Sequence, residues 1–122
     1  KGKIEQYAYD TGEKVIKSLS KDARQMFKDS GAMIPKLEQG VAYNGTYWKM
    51  TMDRYKKLQK DLKPALEKSL GTLKSRPGWD ELDPTIKREM VETMTKQTIK
   101  FVRQQMINDI SFADMEAYDG QE

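Results

Sequence analysis

The chain has 122 residues, of which 37% are hydrophobic and 34% charged, with a net charge of +3. That length suits one domain, or a piece of one, and buries roughly two-thirds of its unfolded surface. There is no cysteine and no histidine, which removes disulfides, thiolate zinc sites, thiol nucleophiles, the commonest general base and the commonest transition-metal ligand.

Few apolar and many charged residues fit helices with one oily stripe and a wide solvated face. No stretch approaches ~20 continuous apolar residues, so no transmembrane helix is expected. The start, Lys-Gly-Lys-Ile-Glu-Gln, lacks the apolar core of a signal peptide. A cytoplasmic location, without secretion by a visible signal, is therefore expected. The first residue is not methionine, and the reading allows for a segment cut from a larger protein.

Ile4, Tyr7, Ala8, Thr11, Val15, Ile16 and Leu19 recur at helical steps. Gly12 is expected to weaken that helix. Ser20 has the character of an N-cap and Gly31 of a C-terminal stop, which predicts a short helix over 20–30. Pro35, Gly40 and Asn44-Gly45 then punctuate a connector. Asn-Gly can close a hairpin, but its flanks lack clean alternation.

The strongest periodicity runs through Trp48, Met52, Tyr55, Leu58, Leu62, Leu66, Leu70 and Leu73. It predicts a long helix over 46–74, kinked or split at Pro64 because proline lacks an N–H and crowds the preceding turn. Ser75-Arg76-Pro77-Gly78 is a break. Asp83 as N-cap with Pro84 behind it opens a second long helix over 84–110, carrying Ile86, Met90, Val91, Met94, Ile99, Phe101, Val102, Met106 and Ile110. Ser111 is expected to cap a last short helix over 112–118. These elements predict an all-α, elongated bundle of four to five helices. Its main seam is two long antiparallel helices, lined by Leu58, Leu62, Leu66, Met90, Met94 and Phe101, since short connections favour antiparallel neighbours.

Charge is divided along the chain. Residues 1–76 hold seventeen basic and nine acidic residues, whereas residues 77–122 hold five and ten. Lys49, Arg54, Lys56, Lys57, Lys60, Lys63 and Lys68 make the middle segment a candidate for phosphate backbones or anionic lipid heads, with Tyr47, Trp48 and Tyr55 available for stacking. The plainer account is a solvated face whose field the acidic half offsets. A further reading is head-to-tail contact between copies, basic segment to acidic end.

No catalytic constellation emerges. Asp80, Glu81 and Asp83 gather carboxylates in one loop, but their spacing matches no calcium loop and Asp83 serves as a cap. Tyr43, Asn44 and Tyr47 around Gly45 suit a packed turn better than a pocket. The eight methionines supply adaptable apolar surface. Met52, Met90, Met94 and Met106 are expected in the core, and Met50 and Met115 outside it. Arg88, Lys96, Lys100 and Arg103 are expected on the outer side of the second long helix. No cofactor, metal or small-molecule substrate is expected.

Arg76-Pro-Gly-Trp79-Asp-Glu-Leu82-Asp-Pro84, the amphipathic run through Phe101-Val102-Arg103, and Met106-Ile107-Asn108-Asp109 together resemble helical segments of very large phage proteins. These are the internal virion or DNA-ejection proteins and the related large polyvalent proteins. Leu19-Ser20-Lys-Asp-Ala23-Arg24 followed by Gly31 resembles their short capped helices. The resemblance covers about half the chain, brings no catalytic residues, and implies a structural helical part that meets partner subunits, DNA or membrane. The first expectation is thus a non-catalytic structural or protein-interaction module, with a protein partner or self-association. The alternative is a nucleic-acid-binding module.

Overall fold

The computed structural model describes residues 3–37, 40–43 and 46–109, with side chains from Gln6 onward except those of Tyr9 and residues 40–48. The first helix, α1 (Lys3–Ser18), runs unbroken through Gly12. Gly12 is where the chain crosses itself closely: a Cβ there would stand 3.0 Å from the Pro35 carbonyl oxygen. Ala8, Thr11, Val15 and Ile16 form the buried face of α1, and Leu19 continues it.

The expected short helix is α2 (Lys21–Ser30). The Ser20 hydroxyl accepts from the Ala23 N–H at 3.3 Å. Gly31 closes the helix at φ 72°, the left-handed region glycine enters freely, and donates its N–H to the Phe27 carbonyl at 3.0 Å. The chain then crosses α1 and α4 in extended form, burying Leu37, before two short strands, β1 (Gly40–Tyr43) and β2 (Thr46–Lys49). They pair antiparallel, Tyr43 opposite Thr46. Asn44 and Gly45, between them in sequence, lie outside the described residues.

The hairpin corrects the expected start of the next helix. That helix, α3 (Met52–Lys74), begins at Met52 rather than at residue 46. Val41, Tyr43, Thr46, Tyr47 and Trp48 are β-branched or aromatic residues that suit strands. The four-residue step from Trp48 to Met52 imitates helical spacing without being part of it. Thr51 is the true cap, its hydroxyl accepting from the Arg54 N–H at 3.2 Å. Met50, expected outside the core, is 1% exposed. It precedes the cap and, with buried Tyr55 in the first turn, occupies the positions of a hydrophobic staple. Helix α3 continues through Pro64 without a break. Pro64 lies opposite the buried row Tyr55, Leu58, Leu62, Leu66, Leu70 and Leu73, where water can take the carbonyl it leaves unbonded.

A short 3-10 turn (Trp79–Glu81) leads to α4 (Pro84–Asn108), with Asp83 accepting from the Thr85 N–H at 3.1 Å. Helix α4 ends two residues earlier than expected. Ile110, the 112–118 helix and Met115 lie outside the described residues.

The fold is all-α, with α3 and α4 as its main packed pair. They run antiparallel: the Thr98 hydroxyl donates to Ser69 at 3.0 Å, while Leu73 meets Met90 and Met94. Helix α1 runs the same way as α3, since Tyr7 and Tyr55 have ring centroids 5.9 Å apart and the Ser20 N–H reaches Glu67 Oε2 at 2.9 Å. Helix α2 and the following strap cover α4, where the Met33 N–H donates to Glu92 Oε2 at 2.8 Å.

Candidate interaction face

The seam differs from expectation on its α4 side. Val91, Thr95, Thr98, Val102 and Met106, at steps of four, three, four and four, are the buried row, with Ile99 beside them. Met90 and Met94 are only partly buried, and Phe101 is 61% exposed. Phe101 and Val102 cannot share a face, because neighbouring helical residues point about 100° apart. Two threonines in the inward row conceal it from an apolar count. Arg103 is also misplaced by the sequence reading: it is 7% exposed, between buried Ile99 and Ile107 along the helix. Its long stem can be covered while the helix packs. Arg88, Lys96 and Lys100 are exposed as expected.

Turning α4 away from its core row brings up a second stripe: Ile86, Met90, Thr93, Gln97, Phe101 and Gln104, at steps of four, three, four, four and three. Met94 stands beside it. None of these residues is charged, in a helix that also carries Lys87, Arg88, Glu89, Glu92, Lys96, Lys100 and Arg103. Ile86 is 45% exposed, and Thr93 and Gln97 are exposed. Between this stripe and the end of α3 lies an open groove of about 340 Å³, lined by Leu73, Arg76, Glu89, Met90, Met94 and Gln97. Helices α1 and α2 pack on the other side of the α3–α4 pair, so no described element covers it.

The basic segment is dispersed. Lys49 ends β2, and the Arg54 guanidinium is turned back to donate to the Lys49 carbonyl at 2.9 Å. Lys57 pairs with Asp61 at 3.2 Å. Lys56, Lys60 and Lys63 form an exposed row along one edge of α3, while Lys68 lies on another edge, eleven residues from Lys57. The structure thus brings together three of the seven candidates rather than all of them.

A larger groove, about 480 Å³, separates α2 from the end of α3 and is lined by Ser20, Asp22, Met26, Glu67 and Lys74. Its charged groups are turned on the protein itself: Lys74 approaches Asp22 at 3.9 Å and Glu67 holds the Ser20 N–H. Asp80, Glu81 and Asp83 are exposed, Asp83 being engaged as the α4 cap. Among the described residues no three acidic side chains gather as a metal site would require. The side chains of Tyr43 and Tyr47 lie outside the described ones. No described helix is long and apolar enough to cross a membrane.

No family model, curated protein or solved structure matches the chain.

Proposed function

We propose that the chain is a non-catalytic helical module whose α4 stripe, Ile86 to Gln104, meets another protein surface. The observation that carries this is Phe101, a large apolar side chain 61% exposed within an uncharged row on an otherwise charged helix. Single exposed apolar residues are ordinary; a continuous row beside an open groove is the pattern of a binding face. With the resemblance of residues 76–114 to segments of large phage virion proteins, the reading extends to a structural part of a virion or ejection assembly.

The test separates binding from folding. Phe101→Gln at dilute protein should leave the melting temperature within about two degrees, because surface changes away from structural features cost within about 0.5 kcal/mol. A drop of many degrees would mean that Phe101 serves the fold, and the proposal would fail.

The exposed row Lys56, Lys60 and Lys63 favours nucleic acid as a second reading. Three phosphate contacts predict affinity for mixed-sequence duplex that falls with a log–log salt slope of roughly −2.7. An absence of binding in dilute buffer removes this reading.

A further inference from the structure

We infer, resting on the interaction reading above, that the α4 stripe is occupied by a second copy of this chain, laid antiparallel so that Phe101 of each copy fills the groove of the other. The projection and the recess it would fill lie on one face of one helix. Phe101 is eleven residues from Met90, three turns or roughly 16 Å along the axis at 1.5 Å per residue. Eleven residues bring the helix back to nearly the same edge, so the two point the same way. A two-fold axis midway between them exchanges their places. Phe101 of one copy then lies on Met90 of the other, beside Met94 and Leu73 at the floor of the groove. The same operation repeats the contact, which is the self-complementarity a closed dimer requires.

Two of the charges bordering the stripe, Glu89 and Lys100, fit the same axis, while Lys96 on that border stands close to the axis itself. Glu89 and Lys100 are exposed, eleven residues apart, and on one edge of α4. Antiparallel pairing about that axis brings Glu89 of each copy opposite Lys100 of the other. Near the axis stand Thr93 and Gln97, uncharged polar side chains that can bond across it and select one register, as a lone polar layer does in helical pairs.

Sedimentation equilibrium over a concentration series tests this. The mass should rise from 14.2 kDa to twice that value and stop, and Phe101→Gln should weaken the dimer at least tenfold. The chain has no cysteine, so single cysteines report geometry while leaving Phe101 in place. Glu89→Cys and Lys100→Cys proteins should each fail to form a disulfide dimer alone and form one when mixed. Either variant cross-linking efficiently with itself overturns the antiparallel pairing. A mass growing past the dimer overturns it in favour of head-to-tail contact. A monomer at every concentration also overturns it, and an unchanged Phe101→Gln melting temperature then leaves the interaction face to a different protein. A lowered one removes both.

Discussion

Thr11 and Thr95 are fully buried, and their hydroxyls have no hydrogen-bond partner among the described residues. Thr95 borders a small void lined mainly by apolar residues, among them Ile34, Leu62 and Leu66. A buried polar group left unsatisfied costs roughly 1–3 kcal/mol. Valine keeps the branched shape and puts a methyl in place of the hydroxyl. Thr95→Val is therefore expected to raise stability by roughly 1 kcal/mol in urea denaturation; an equal loss would show that the hydroxyl is bonded in solution. Threonines in the inward row of α4 also explain a limit of the sequence. Counting apolar letters along α4 drew Phe101 into the core, because Thr95 and Thr98 looked like surface. Met50 was misread for a related reason: it lies outside the periodic run, and its burial comes from the staple position before Thr51.

Among the elements, those with chemical punctuation at their ends were legible. Ser20 and Gly31 bracket α2, Asp83-Pro84 opens α4, and the leucine row of α3 lies buried as its spacing required. The hairpin was not legible, because the Trp48–Met52 step continued the helical count and tertiary context decides short apolar segments. The candidate face was half legible: Ile86, Met90 and Phe101 stood out by spacing while Thr93, Gln97 and Gln104 did not, and only the packed neighbours show which of two stripes turns inward. The two sides of the α3–α4 seam should respond unequally to truncation. Leu62→Ala is expected to cost about 3 kcal/mol, since it hollows a closed site. Met94→Ala should cost under half of that, because Met94 is only partly buried and water can fill the gap. Equal losses in chemical denaturation would mean that the groove beside Met94 is closed in solution.

At the scale of the molecule, the antiparallel α3–α4 pair sets two basic helices side by side, since α4 carries five basic residues against Glu89 and Glu92. The acidic excess of residues 77–122 falls mostly in 110–122, outside the described residues; residues 77–109 hold five basic and six acidic side chains. The Lys56–Lys63 edge of α3 carries only basic charges. Self-association through an uncharged stripe and phosphate binding through that edge use different sides of the molecule's chemistry, and salt should weaken the second far more than the first.

Helix α1 lies alongside α3 in the same direction, so their partners in contact are separated by more than forty residues of chain, as Tyr7 and Tyr55 are. The α3–α4 turn closes a much shorter loop. Assembly should then begin with that hairpin, and α1 should join late, after the entropy of a long closure has been met. In amide hydrogen exchange, protection along α1 should fail before that of α3. An opened α1 would bare Leu62 and Leu66 while α4 stayed in place, so this helix acts as the fold's detachable cover.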